Sequence, residues 1–164
     1  MLTKNFYALM RAALGKISSE ATGLDSTTIT IPFSNSNWYG AFGLMSGYDA
    51  NGEQYVRFGN GTTPATVNDY KLESQIDSGI TVANPSAPTT EYTDNYISWT
   101  ATFGVSASVE TTISEIGLIS RVYRSSGVTT TLVDRTVLDT PVTIPAGQSK
   151  QITYTIRFNY GDAV

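Results

Sequence analysis

Four carboxylates in the second half of the chain are the residues whose type could support hydrolysis: Glu110, Glu115, Asp134 and Asp139. Glycosidase-type chemistry needs two such acids that converge in one cleft. The surrounding pattern places all four on strand ends or turns, where acids are usually just solvated. We therefore expect no catalytic pair among them.

Two short motifs resemble ligand-binding loops. The segment 49–53 (Asp-Ala-Asn-Gly-Glu) has oxygen ligands at alternate positions, as a calcium loop does, but its glycine is misplaced for an EF-hand. Its flanks look like strands, so Asn51-Gly52 indicates a hairpin turn instead. Gly59-Asn60-Gly61 resembles half of a dinucleotide fingerprint, yet no third glycine or helix follows it. We predict no metal site and no cofactor.

The composition removes the usual catalytic machinery. The chain has 164 residues with no histidine and no cysteine, so the common general base, zinc ligands and disulfides are absent. A serine nucleophile would need a lysine base, and no lysine lies in a recognisable motif. We expect a protein that is not an enzyme, with no catalytic residues.

Charge also limits the partners. Only 15% of the residues are charged and the net charge is -4, so nothing concentrates the positive potential that a phosphate backbone requires. Serine, threonine, glycine and tyrosine are abundant. We expect no direct nucleic-acid partner, and a surface that uses hydroxyls where most soluble proteins use charge.

Four aromatic residues close together in sequence, Trp38, Tyr39, Tyr48 and Tyr55, invite a second interpretation. Such residues can form a platform that binds a glycan, as in carbohydrate-binding β-sandwiches. Core packing of Trp38 and burial of the tyrosines at a protein interface explain them equally well. Both interpretations stay open from sequence.

The first convincing element is a helix from Thr3 to about Lys16, with apolar residues at helical spacing on one face. The face packs either on the domain's own sheet or on a neighbouring subunit. For the second case the predicted interface residues are Phe6, Tyr7, Met10 and Leu14. Arg11 and Lys16 interrupt the apolar run, so we predict an internal helix of a protein made in the cytoplasm, with no membrane partner.

The rest of the chain shows the period of strands. The clearest is Tyr96 to Val105, which alternates apolar and small polar residues and is expected to lie in the middle of a sheet. A phase break between Ile113 and Ile116 indicates a bulge beside Gly117. Further strands are predicted at 27–33, 37–45, 53–58, 79–83, 111–120, 121–124, 129–138 and 152–160, with loops or turns at 84–90, 125–127 and 145–148.

This tally predicts a mainly β protein: an antiparallel β-sandwich, jelly-roll or Ig-like, with one N-terminal α-helix. We expect a single domain over 1–164, in which 1–20 form the helix and its connection and 27–160 form the sandwich.

The stretch 56–76 combines a strand, a glycine- and threonine-rich turn closed by Pro64, and an amphipathic segment that Asp69 could cap. Tyr70, Leu72 and Ile76 are its expected apolar anchors. This order predicts a strand, an ordered loop and one docked turn.

The same stretch resembles structural proteins of tailed bacteriophages, including tail-collar and tail-fibre proteins. In these proteins a strand ends in Gly-x-Gly-Thr-x-x-Pro, and Asp-x-x-Leu follows. Later elements resemble the same proteins. The matching residues are Gly59, Gly61, Thr62, Pro64, Asp69 and Leu72, then Ile113, Glu115, Gly117 and Leu118 with the spacing shifted by one, then Leu132, Arg135, Leu138 and Pro141, and the strand Thr153 to Phe158.

The resemblance implies a non-enzymatic structural component of a virion: a collar or neck protein, a tail-fibre adaptor or a capsid decoration protein. It would act by multivalent packing against other virion proteins and copies of itself. The implied location is the virion, after synthesis in the bacterial cytoplasm. The alternative is a receptor- or carbohydrate-binding module of a tail fibre, for which a host glycan is the expected ligand.

Overall fold

The computed structural model describes residues 1–15, 19–31, 56–83, 89–124 and 127–159. These residues form one helix and several antiparallel sheets, so the chain is mainly β. The elements in chain order are α1 (Lys4–Gly15), β1 (Ser19–Thr22), β2 (Thr28–Ile31), β3 (Val56–Gly59), β4 (Ile80–Val82), β5 (Thr89–Tyr92), β6 (Tyr96–Ala107), β7 (Thr111–Arg124), β8 (Gly127–Ile144) and β9 (Ser149–Asn159).

The described strands form three sheets. The pair β1–β2 is the smallest, the strands β3-β7-β8 form the second, and in the third β6 pairs with β4, β5 and β9. The prediction that the strand beginning at Tyr96 lies mid-sheet is confirmed, since three strands pair with it. This arrangement is consistent with a β-sandwich.

One hydrophobic core joins the larger sheets and the helix. Phe58 and Ile116 from one sheet, and Phe103 and Ile156 from the other, share it with Phe6 of α1. Burial of such side chains contributes roughly 1.5–3 kcal/mol each to folding.

The helix is present where the sequence predicted it, and its residues Phe6, Leu9 and Ala12 are buried on the domain's own sheets. The side chain of Asn5 fixes its start, because Asn5 donates to the Thr22 and Leu132 carbonyls at 2.8 and 3.1 Å.

The sequence predicted a bulge beside Gly117, and the structure has two register irregularities in β7, one on each side of that residue. The register of β7 with β8 shifts between Ile113 and Glu115, and again between Leu118 and Ile119. Ile113 and Ile116 are an odd number of residues apart, so strict alternation would place them on opposite faces. The first shift allows both to enter the main core.

Two strands were missed by sequence reasoning. Thr89 and Thr90, predicted as loop, begin the exposed strand β5, and β1 was not predicted. Both are short and carry no continuous apolar alternation. The prediction that Asp69 caps a following turn was wrong, because its carboxylate accepts from the preceding Thr66 instead. The predicted strand 37–45 and the Asn51-Gly52 turn lie outside the described residues.

Candidate functional site

The two faces of the β3-β7-β8 sheet differ in what covers them. Phe58 lies opposite Ile116 and points into the main core, whereas Gly59 lies opposite Glu115 on the other face. That other face is covered by residues 60–76, which we call the pinned loop. Leu72 of this loop is buried in a second cluster with Ile119 and Leu132.

Glu115 is the residue that holds the pinned loop. Its side chain is fully buried (0% exposed). One carboxylate oxygen accepts from the Gly61 and Ser74 N–H groups at 3.2 and 2.7 Å, and the other accepts from the Glu73 N–H at 3.1 Å. One buried acid on a strand thus satisfies three backbone donors of a loop that has no regular secondary structure of its own.

Arg135 supplies the counter-charge. Its guanidinium is 3% exposed and donates from Nε to Glu115 at 2.7 Å, from Nη1 to Asp69 at 2.9 Å and from Nη2 to Glu73 at 3.3 Å. We call these four residues the Arg135 cluster. Bonds between charged partners are stronger than neutral ones, so the cluster ties both halves of the loop to β7 and β8.

Asp69 and Glu73 also organise the loop locally. Asp69 accepts from the backbone N–H and hydroxyl of Thr66, and Glu73 accepts from the same two groups of Thr63. Burial acts to raise the pKa of Asp69, but hydrogen bonds from the Thr66 backbone and from Arg135 outweigh it and hold the pKa below its ordinary value of 3.8. Hydrogen bonds from Thr63 likewise lower the pKa of Glu73.

Three glycines in and beneath the pinned loop are required because neighbouring atoms approach them closely. A Cβ on Gly61 would lie 2.6 Å from the Glu115 carboxylate and 2.6 Å from Cβ of Glu73. A Cβ on Gly59 would lie 2.6 Å from the Ser74 carbonyl oxygen. A Cβ on Gly117 would meet Leu132 and Leu72 at 2.7 and 2.8 Å. At all three glycines these distances are too short for a real Cβ, so glycine lets the loop lie flat on the sheet.

The expectation that Glu115 and Asp134 are solvated acids was wrong, because both are buried in strands. Glu110 and Asp139 are exposed, as expected. Glu115 was missed as a functional residue, although a lone acid between Ile113 and Ile116 in a strand was a signal that could have found it.

Asp134 forms a second polar cluster on the opposite face of β8. It accepts from the Tyr154 hydroxyl, from Thr136 at 3.0 Å and from the Met1 amino group at 3.1 Å. Burial, together with the Asp134 charge, raises the pKa of the Tyr154 hydroxyl.

The geometry of the Arg135 cluster favours a structural role over catalysis. Arg135 lies among the three carboxylates where a cation or substrate would have to bind, and Glu115 already accepts four bonds. A cavity of about 280 Å³ borders the cluster, and its walls are residues of the pinned loop together with Arg135. In the part of the chain that the structure describes, no group of three or more acidic, histidine or cysteine side chains could hold a metal ion.

The predicted interface residues of the helix have different environments. Phe6 is buried (4% exposed) and stacks on Phe158 with 5.7 Å between ring centroids, whereas Tyr7 is 55% exposed. Met10 is half-buried against the core. Leu14 lies in α1, and its side chain is outside the described part of the structure. The aromatic residues predicted for a glycan face, Trp38, Tyr39, Tyr48 and Tyr55, lie outside the described residues.

Exposed apolar side chains flank the start of α1. Val67, in the middle of the pinned loop, is 39% exposed, and its carbonyl accepts a hydrogen bond from the Lys4 N–H at 2.8 Å. Tyr7 lies one turn further along the helix. We call Tyr7 and Val67 the crest patch.

Comparisons with protein-family models, with curated proteins and with solved structures found no match to this chain. Within the described residues, no helix has the length and apolar character to cross a membrane.

Proposed function

We propose that this protein is a non-enzymatic structural component of a tailed-bacteriophage virion, in the collar or neck, as a tail-fibre adaptor or as a capsid decoration. The proposal includes a β-sandwich of jelly-roll or Ig-like type. Its mechanism is packing against other virion proteins and against copies of itself.

The observation that carries the proposal is the convergence of the motif residues. Asp69, Glu115 and Arg135 are among the residues on which the resemblance to phage proteins rests, and they meet in the Arg135 cluster. Gly59 and Gly61, which belong to the same motifs, lie against the Glu115 carboxylate. A rigid loop presented on a sheet suits a protein that is recognised by neighbours, because little conformational entropy is lost on contact.

The outer face of the β6–β9 pair supports the same role. Threonine and serine hydroxyls pair across these two strands: Thr100 with Thr155 at 2.9 Å, Thr102 with Thr153 at 3.1 Å, and Ser106 with Ser149 at 2.6 Å. Hydroxyl groups cost less to desolvate than charges do. Such a face can therefore be covered by a neighbour at low cost.

The crest patch is the contact surface that we assign to virion partners. Phe6 packs into the protein's own core, but Tyr7 and Val67 remain exposed apolar side chains that a partner can reach. The Val67 carbonyl bonds to the start of the helix that carries Tyr7. Exposed aromatic residues are enriched in protein interfaces.

The test is co-sedimentation of the purified protein with virions and empty capsids of the phage from which the sequence derives, together with immunogold labelling of those virions. We expect stoichiometric binding and labelling at one position in the particle. Tyr7→Ser with Val67→Ser should weaken binding, and the matched control Tyr92→Ser, at another exposed tyrosine, should not.

Absence of the protein from virions would refute the proposal. A trimer that does not bind particles but binds host glycans would instead support the alternative of a receptor-binding module.

A further inference from the structure

The second edge of β9 is free among the described strands. β9 runs for 11 residues, and among the described strands it pairs with β6 alone. A groove of about 390 Å³ borders it, with the segment 153–157 on one side and Asp134, Thr136 and Leu138 of β8 on the other. A long free edge presents unpaired N–H and C=O groups, which form a template for another strand.

The usual protection of such an edge is weak here. Edge strands commonly carry charged side chains that prevent pairing, but the segment 152–156 of β9 has none. The guanidinium of Arg157 lies 4.0 Å from the centre of the Tyr96 ring on β6, so it turns back over its own sheet. Lys150 lies near the start of the strand.

We infer that β9 pairs with β9 of a second copy, antiparallel, about a two-fold axis at Tyr154. A two-fold contact requires a self-complementary surface, and this register provides one. Thr153 then lies opposite Thr155 of the second copy, Ile152 opposite Ile156, and Gln151 opposite Arg157. No like charges face each other in this register.

The hydroxyl pairs indicate why threonine suits positions 153 and 155. Each already pairs with a threonine of β6, Thr102 and Thr100 respectively. In the dimer the outer face would carry threonine side chains side by side across four strands, from β6 through both copies of β9 to the second β6. Cross-strand threonine pairs stabilise neighbouring strands.

This contact deepens the proposed function by naming one way in which copies meet, but it does not require a virion. A dimer in solution with no binding to particles would refute the virion role and leave the dimer standing. Binding to particles by a strictly monomeric protein would refute the dimer and leave the virion role standing.

The experiment is sedimentation equilibrium of the full chain over a wide concentration range. The wild type should show a reversible monomer–dimer equilibrium. Thr153→Lys with Thr155→Lys places two pairs of lysines directly opposite each other across the axis, and the dimer dissociation constant should rise about tenfold or more. Thr153→Glu with Thr155→Glu should do the same.

Mixing the lysine and glutamate variants supplies the decisive readout, because each lysine then lies opposite a glutamate and a heterodimer should form. The matched control is Thr100→Lys with Thr102→Lys, on the same face but one strand from the edge, and it should still dimerise.

A monomeric wild type at every concentration, a lysine variant that dimerises as well as the control, or a mixture that forms no heterodimer would each overturn the inference. Hydrogen exchange of the β9 amides in the wild type needs no variant: protection that rises with protein concentration is expected, and protection independent of concentration contradicts the pairing.

Discussion

Replacement of Glu115 by glutamine should remove the pinned loop from the sheet while preserving side-chain volume. An amide has one oxygen where the carboxylate has two, so two of the four donors now bound by Glu115 would face an NH2 group. In one orientation these are the Glu73 N–H and Arg135 Nε, and in the other they are the Gly61 and Ser74 N–H groups.

The expected loss of stability follows from the burial of these donors and of the ion pair. Each buried donor left without an acceptor costs about 1–3 kcal/mol, and removal of one partner of a buried ion pair costs about 3–5 kcal/mol. These two estimates describe overlapping losses, so we expect Glu115→Gln to lower the free energy of unfolding by about 3–5 kcal/mol. For a domain with a total of about 5–15 kcal/mol, this is a large fraction.

The assay is urea denaturation together with hydrogen exchange. Glu115→Gln should lower the denaturation midpoint and speed exchange of the Gly61, Glu73 and Ser74 amides. The matched control is Glu110→Gln, at an exposed acid between β6 and β7, and its free energy of unfolding should stay within about 0.5 kcal/mol of wild type. In the double variant with Arg135→Met, the losses should be less than additive by about 1–3 kcal/mol.

A loss below about 1 kcal/mol for Glu115→Gln, with the three loop amides still protected, would refute the reasoning. The carboxylate would then not be what holds the loop.

Three further predictions concern the loop and the helix. Gly61→Ala should lower the denaturation midpoint, because its Cβ overlaps the Glu115 carboxylate, whereas Gly104→Ala, whose nearest contact is at 3.4 Å, should not; equal effects would contradict this. Phe6→Ala should lower the free energy of unfolding, measured by calorimetry, by about 3–5 kcal/mol. Tyr7→Ala, at the exposed site, should lower it by less than about 1 kcal/mol. The reverse order would mean that the helix does not dock as described. The pKa of Asp69 is lowered on folding, so its contribution to stability is present above about pH 4 and is lost as the pH falls through the pKa of the folded state. The free energy of unfolding of Asp69→Asn should therefore depend less steeply on pH in the acid range than that of wild type.

The elements that were predicted from the sequence are those in which apolar residues recur with the period of a strand or a helix. β6 and β9 alternate apolar and polar residues over their lengths, and α1 carries Phe6 and Leu9 at helical spacing. Strand β5 was missed because all four of its residues are exposed, so it has no buried face to mark its period.

The Arg135 cluster was missed for a different reason. Glu115 and Arg135 were noticed as parts of separate motifs. They come into contact because β7 pairs with β8 and because the pinned loop folds over the sheet. No local pattern encodes contacts across such distances. Gly59 and Gly61 were predicted to lie in a turn, but Gly59 ends β3 and Gly61 lies in the pinned loop. The Glu115 carboxylate, which belongs to another strand, is the reason for both glycines.

The anchoring of the helix also affects the order in which the chain folds. Thr3 donates to the Leu132 carbonyl across 129 positions of sequence, while Asn5 contacts Thr22 only 17 positions away. During synthesis the helix can meet β1 early, but its final docking waits until β8 has emerged from the ribosome. Contacts so distant in sequence slow folding, so we expect docking of the helix to be a late step in folding.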